Sequence, residues 1–147
     1  MAQEIERKFL LADDSWRSVA GEGTAYRQGY IVSDPEKAVR VRVAGTAGFL
    51  TLKGGTDGLT RSEFEYEIPL DDANELLDTL YLPGKVEKTR YKIPNGNHIW
   101  EVDIFHGENE GLVTAEIELS AADESFEKPS WIGEEVTFDD RYKNGRL

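Results

Sequence analysis

The sequence contains no cysteine and only two histidines and one methionine among its 147 residues. Without cysteine, the chain can form neither a disulfide framework nor a thiolate metal site. It also has no apolar run near the length of about 18 residues that marks a membrane-spanning helix. The N-terminus is charged from Glu4 onward, so we expect no signal peptide and no membrane partner. A cytoplasmic protein is the expectation.

Positive charge is also scarce, because 17 lysine and arginine residues stand against 29 aspartate and glutamate residues. The formal net charge is -12, and long-range repulsion of this sign argues against nucleic acid as a partner. An acidic balance usually serves solubility, and it also suits a protein that collects divalent cations. The length predicts one domain over residues 1–147, large enough to bury a core.

The N-terminal stretch EIERKF has the two-residue period of a β-strand. One face carries Glu4, Glu6 and Lys8, with the two carboxylates about 7 Å apart along the strand. Carboxylates at this spacing can share hard divalent cations, and the lysine can bind an anion held by them. Taken alone, however, an amphipathic strand of this kind usually has a merely solvated polar face.

The same alternation recurs along the chain. Further strands are predicted over residues 24–33, 38–43, 49–53, 61–68, 86–93, 98–105 and 112–119, with a possible short strand at 135–137. Tight turns join most of them, and residues 54–60 are predicted to be a hairpin tip. Short helices are predicted over 13–19, 71–80 and 121–126. This pattern predicts an α+β, mainly β fold whose eight antiparallel strands are numerous enough to close into a barrel.

Charge of each sign is confined to particular strands. The basic side chains on the alternating faces are Arg40, Arg42, Lys53, Lys88 and Arg90. The acidic ones, beyond the first strand, are Glu63, Glu65, Asp103, Glu116 and Glu118. Periodicity alone allows either an apolar barrel with its charges outside or a charged interior with apolar outer faces under helices. Sorting by sign favours the second, because solvated faces usually intersperse charges. The bulky apolar residues of the predicted helices also need a sheet face to cover.

A charged interior is costly, because each desolvated ion costs several kcal/mol against a typical net stability of about 5–15 kcal/mol. Such a barrel must stay hydrated and balance its charges, which an acidic wall facing a basic wall achieves. The matching ligand is a polyanion on the basic wall, bridged by divalent metal to the acidic wall. Oxygen-only ligands suit Mg²⁺ or Mn²⁺, and the natural reaction is metal-assisted phosphoryl transfer to water.

These residues, taken in order, resemble the CYTH domain, or triphosphate tunnel metalloenzyme, family. The matching motifs are Glu4-x-Glu6-x-Lys8, Arg40-x-Arg42, Lys53 after Thr-Leu, Glu63-x-Glu65, Lys88-x-Arg90, Asp103 and Glu116-x-Glu118. The resemblance spans essentially the whole chain. It implies an eight-stranded antiparallel β-barrel tunnel with a charged interior that binds a triphosphate and with helices packed outside.

The resemblance also implies roles for single residues. Glu4, Glu6 and Lys8 would act in catalysis. The phosphates would be held by Lys8, Arg40, Arg42, Lys53, Lys88 and Arg90. Two Mg²⁺ or Mn²⁺ ions would be bound by Glu4, Glu6, Glu116 and Glu118, with Glu63, Glu65 and Asp103 as direct or water-mediated ligands. A basic residue near the C-terminus, Arg141 or Lys143, could assist.

The expected reaction is hydrolysis of inorganic tripolyphosphate to pyrophosphate and phosphate, as in small bacterial members of the family. The alternatives are a nucleoside or thiamine triphosphatase, a class IV adenylate cyclase, and a non-catalytic polyphosphate-binding module. A homodimer is expected by family analogy. Glu67, Lys92 and Glu101 share the charged face outside the motifs and are expected to be solvated rim residues.

Overall fold

The computed structural model describes residues 3–57, 60–80 and 85–142. Its strands are β1 (Gln3–Leu11), β2 (Thr24–Ser33), β3 (Lys37–Ala44), β4 (Ala47–Asp57), β5 (Thr60–Ile68), β6 (Val86–Asn95), β7 (His98–Phe105), β8 (Val113–Glu118) and β9 (Ile132–Glu135). Its α-helix is α1 (Leu70–Thr79), and short 3₁₀ turns cover Ser15–Ser18, Gly107–Asn109 and Asp140–Tyr142.

The strands form a closed antiparallel barrel with the spatial order β5-β4-β3-β2-β6-β7-β8-β1. The barrel closes where residues 3–5 of β1 pair with residues 60–62 of β5. Residues 6–10 of β1 pair with β8 on its other edge. The predicted eight-stranded antiparallel barrel and its mainly β class are confirmed. β9 is an addition that pairs with the end of β1, next to the closing strand.

The largest apolar cluster lies on the outer faces of β1, β7 and β8. Phe9, Trp100 and Ile117 are almost fully buried there. The segments that connect the strands cover them, because Trp16 and Trp131 complete the cluster and the rings of Phe9 and Trp131 meet Trp100 edge to face. Apolar side chains therefore pack outside the barrel, as the predicted charged interior requires.

Helix α1 covers the outer faces of β3 and β4. Ala73 and Leu77 are fully buried against Val41. The approach is close at Gly48, where an added Cβ atom would lie 2.8 Å from the Cβ of Ala73. The sequence predicted that this helix includes residue 80, and this was wrong. Leu80 lies beyond the last helical residue and is 56% exposed.

Two other local predictions needed correction. Residues 121–126 form a turn without a helix, in which Glu124 accepts a hydrogen bond from the backbone N–H of Ser120 at 2.6 Å. Phe126 still packs against Phe9 and Trp100. The predicted hairpin tip at 54–60 is shorter than expected, because β4 continues to Asp57 after an irregularity in its pairing with β5. Within the described residues, every helix is too short or too polar to cross a membrane.

Candidate active site

The two signs of charge occupy opposite halves of the barrel interior. The strands β4, β3, β2 and β6 are consecutive around the barrel, and they carry Lys53, Arg40, Arg42, Lys88 and Arg90. We call this set the basic wall. The remaining strands β7, β8, β1 and β5 are also consecutive and carry Asp103, Glu116, Glu118, Glu4, Glu6, Glu63 and Glu65, which we call the acidic wall.

Contacts between strands that are not sheet neighbours prove that these side chains point inward. Lys53 on β4 reaches Glu4 on β1, with its Nζ 3.2 Å from a carboxylate oxygen. The same Nζ lies 3.3 Å from Glu63 on β5. Arg90 on β6 similarly approaches Glu116 on β8 at 4.0 Å. The alternative with charges outside an apolar barrel is therefore wrong.

Lys8 is a cation on a strand of the acidic half. Its Nζ lies 3.6 Å from a carboxylate oxygen of Glu116, which is its partner in the β1–β8 register. It also donates a hydrogen bond of 2.8 Å to the backbone carbonyl of Tyr142 near the C-terminus. The predicted motif of β1 thus places an ammonium group directly beside the acidic side chains.

Asp103 is a fully buried counterion of the basic wall. Its two oxygens accept hydrogen bonds from Nε and Nη2 of Arg90 at 2.8 and 2.9 Å. The Nζ of Lys88 lies 2.8 Å from one of the same oxygens. Burial raises the pKa of Asp103, but the two cations outweigh this effect and lower it. The structure thus places this carboxylate between two cations of the basic wall.

Lys88 itself is buried from solvent, with its ammonium near the rings of Phe105 and Tyr26. Burial lowers its pKa to about 7, against the opposing effect of Asp103. Arg90 differs, since its hydrogen bonds to Asp103 and the nearby carboxylates outweigh burial and raise its pKa.

The acidic side chains meet in pairs. Burial is the first cause that raises the pKa of Glu4, and the neighbouring Glu63 raises it further. Glu6 on β1 lies close to Glu116 on β8, and the two carboxylates affect each other's pKa. Burial and then repulsion from Glu116 raise the pKa of Glu6 well above its ordinary value. Burial also raises the pKa of Glu116, but the charges of Lys8 and other nearby cations outweigh it, so this pKa is lowered.

Paired carboxylates of this kind need a shared proton or a cation between them. All their donor atoms are carboxylate oxygens, which suit a hard divalent ion. In the described parts of the chain, no three acidic or histidine side chains are grouped closely enough to enclose a metal. This arrangement fits a hard divalent ion that is held by one or two carboxylates and completes its coordination with substrate phosphates and water.

Other predicted residues are less enclosed. Glu65 accepts hydrogen bonds from Thr51 and Arg40, although its side chain is 39% exposed. Glu118 is exposed, and its pKa is raised by partial burial and by repulsion from Glu4 and neighbouring acids. Both residues therefore lie on the charged face but nearer to solvent than the buried pairs.

The three predicted rim residues differ among themselves. Glu67 and Lys92 are exposed, as expected. Glu101 is partly buried, with a carboxylate oxygen 3.4 Å from Nη1 of Arg90, so its description as a merely solvated residue was wrong. Of the two C-terminal candidates, Arg141 forms an exposed ion pair with Asp139. Lys143 lies outside the described residues.

Sequence reasoning overlooked the neutral polar residues of the interior. Gln28 and Thr51 are fully buried, and Thr114 is nearly so. Tyr26 places its ring beneath two cations, with the guanidinium carbons of Arg42 and Arg90 at 4.9 and 4.8 Å from its centroid. A signal was present in the sequence, because Tyr26 and Gln28 alternate in phase on β2.

Comparison with known sequences gives consistent matches. A sequence model of the CYTH domain matches residues 2–145. A protein of Acetivibrio thermocellus named inorganic triphosphatase is 52% identical over 147 residues, which cover 100% of this chain and 94% of that protein. A protein of Nitrosomonas europaea with the same name is 40% identical, over 98% of this chain and 95% of its own length.

Solved structures share the fold. The crystal structure of an inorganic triphosphatase matches with a TM-score of 0.67 and 36% identity, over 99% of this chain and 94% of that one. A protein from Pyrococcus horikoshii matches with a TM-score of 0.62 over 81% of this chain and 80% of its own. Its 20% identity supports a common fold and nothing further.

Proposed function

Because the chain belongs to the CYTH domain family, we propose that it is a hydrolase that splits inorganic triphosphate into pyrophosphate and phosphate inside its barrel. The observation that carries this proposal is the division of the interior into a basic wall and an acidic wall. The relative with 52% identity, named inorganic triphosphatase, supports the choice of substrate. An interior with a dozen charges needs a ligand that is itself highly charged.

The basic wall and Lys8 hold the substrate in this proposal. Arginine guanidinium groups give forked hydrogen bonds to phosphate oxygens, and lysine ammonium groups act as point charges. Lys8 stands among the acids and would contact the phosphoryl group that is transferred to water. Holding three phosphates in line supplies most of the positioning that phosphoryl transfer requires.

The acidic wall would hold the divalent metal, Mg²⁺ or Mn²⁺, as one or two ions. The pairs Glu4 with Glu63 and Glu6 with Glu116 are the preferred ligands, because each brings two carboxylates close together inside the barrel. Asp103, Glu65 and Glu118 are proposed to contribute to metal binding less directly than these two pairs. A bound divalent ion neutralises phosphate charge and makes water a better nucleophile. Glu4 and Glu6, which are the catalytic candidates on β1, orient the water on the acidic side.

A panel of substrates tests the reaction. Purified protein with Mg²⁺ or Mn²⁺ is given tripolyphosphate, ATP or thiamine triphosphate, and released phosphate is measured. We expect fastest release from tripolyphosphate and a loss of about 100-fold or more in Glu4→Gln, the size typical of removing one charge-stabilising group. Asp123→Asn, an exposed acid in the 121–126 turn, is the matched control and should retain full activity.

The alternatives correspond to other outcomes of the same panel. Fastest release from ATP or thiamine triphosphate would replace the substrate, and cyclic AMP with pyrophosphate from ATP would indicate a cyclase. Tight binding of tripolyphosphate without turnover would leave a non-catalytic binding module. The cytoplasmic location, the absence of nucleic-acid and membrane partners and the single domain stay predictions of the sequence.

We also propose that the chain forms a homodimer through the outer face of β4 and β5. Leu52 and Phe64 are partners in the register of these strands and are each 41% exposed, and the neighbouring Tyr66 is 58% exposed. An apolar face of this kind suits self-association, because a twofold contact pairs it with itself. Sedimentation equilibrium should give twice the chain mass for the wild type and the chain mass for Phe64→Ser. A wild-type monomer at micromolar concentration contradicts the dimer.

A further inference from the structure

Gln28 is a neutral side chain fixed in the middle of the basic wall. It lies on β2, opposite Arg42 on β3 and Val86 on β6, and it has no solvent exposure. Its Oε1 accepts a hydrogen bond from Nε of Arg42 at 2.9 Å. Its Nε2 has no hydrogen-bond partner among the described residues. The amide oxygen is thus committed to Arg42, and the amide nitrogen is left unsatisfied.

Arg42 differs from the other interior cations. Five of them lie within 4 Å of a carboxylate, namely Lys8, Arg40, Lys53, Lys88 and Arg90. Arg42 has no such partner in the described parts of the chain, where its contacts are Gln28 and the ring of Tyr26. Burial and repulsion from Arg40 and Arg90 lower its pKa to about 10. The charge of Arg42 is therefore without a carboxylate partner among the described residues.

In the ligand-free protein, a glutamate at position 28 would stabilise the fold more than the glutamine does, because it would supply the countercharge that Arg42 lacks in the described part of the chain. A carboxylate could accept the same hydrogen bond from Arg42, would neutralise its charge and would carry no unsatisfied donor. The glutamine forgoes this stabilisation. It fixes the Nε of Arg42 and leaves both terminal nitrogens without hydrogen-bond partners among the described residues.

Resting on the proposed triphosphate hydrolysis, we propose that Gln28 is a positioning residue that orients Arg42 while keeping its charge available. The negative charge of the substrate's phosphates then balances the positive charge of Arg42, which has no carboxylate partner among the described residues. Binding strength is therefore obtained at the expense of stability of the ligand-free barrel. The two properties should move in opposite directions when the charge at position 28 is changed.

Gln28→Glu tests this opposition directly. We expect its thermal unfolding midpoint without ligand to rise by a few degrees, while the KM for tripolyphosphate rises about tenfold and kcat changes less. Gln28→Leu removes the acceptor without adding charge, so its KM should rise less and its midpoint should not increase. Gln3→Glu makes the same chemical change at an exposed position on β1 and should alter neither quantity.

A residue with a merely structural role would lower stability and activity together. A Gln28→Glu protein that is less stable than the wild type, or that has the wild-type KM, overturns the proposal. Turnover by the wild type separates the two claims. If the wild type does not hydrolyse tripolyphosphate, the proposed function fails. If it does and Gln28→Glu binds equally well, the inference about Gln28 alone fails.

Discussion

The role of each charged residue in the interior depends on which oppositely charged side chains it contacts. Asp103 is the clearest case, because motif position alone gave it the role of a possible metal ligand. In the structure its two oxygens contact Arg90 and Lys88, and its side chain is fully buried. Asp103 thus stabilises two cations that would otherwise repel each other inside the basic wall.

Removal of this carboxylate charge should be strongly destabilising. We expect Asp103→Asn to lower the free energy of unfolding by about 3–5 kcal/mol, since Arg90 cannot lose its proton and becomes a buried cation without its bidentate partner. Urea unfolding followed by circular dichroism measures the change. Asp123→Asn removes one carboxylate charge from an exposed turn and should leave the unfolding midpoint unchanged. A loss below about 1 kcal/mol for Asp103→Asn would show that this ion pair contributes little.

At the scale of elements, the alternation of the strands directs the charged side chains inward, and the connecting segments and α1 cover apolar outer faces. Helix α1 contributes by lying directly on β3 and β4. Its closest approach is at Gly48, where the backbone oxygen of Ile68, at the end of β5, would also lie 3.1 Å from an added Cβ. The Cβ of Ala73 would be nearer still, at 2.8 Å, and neither atom belongs to a flexible side chain.

Gly48→Ala should therefore displace the helix and lower the free energy of unfolding by about 1–3 kcal/mol, the usual cost of overpacking. The measurement is again the urea midpoint with an unchanged slope. Gly21→Ala is the matched control, because an added Cβ there meets no atom within 4 Å. If the free energy of unfolding falls equally in both variants, the cause is the general effect of replacing a glycine. If it does not fall in Gly48→Ala, the tight contact at Gly48 is contradicted.

Elements also mark where local patterns were insufficient. The stretch 121–126 has the composition of a helix, but the Glu124 side chain binds the Ser120 N–H and contacts His98, which holds a turn. Leu80 continues the helical period of α1 but lies past its end. In the first case a side-chain contact decides the local structure, and in the second the end of the helix does. Periodicity encodes neither of these.

At the scale of the whole molecule, the sorting of charge by strand was the most informative feature of the sequence. It predicted opposed walls because strands of like charge become neighbours in the closed barrel. The particular pairs were not predictable, since Lys53 with Glu4 and Arg90 with Glu116 join strands that are not adjacent in the sheet. The absence of a carboxylate partner for Arg42 among the described residues was not predictable either, because it also depends on contacts between strands that are not adjacent in the sheet.

The central claim is that the charged interior hydrolyses a triphosphate, and phosphorus NMR of the products tests it most directly. Wild-type protein with tripolyphosphate and Mg²⁺ should yield pyrophosphate and phosphate in equal amounts. Glu6→Gln removes one charge from the acidic wall and relieves its repulsion with Glu116, so it should fold while losing about 100-fold in rate. Intact tripolyphosphate with the wild type, or wild-type hydrolysis by Glu6→Gln, would contradict the account.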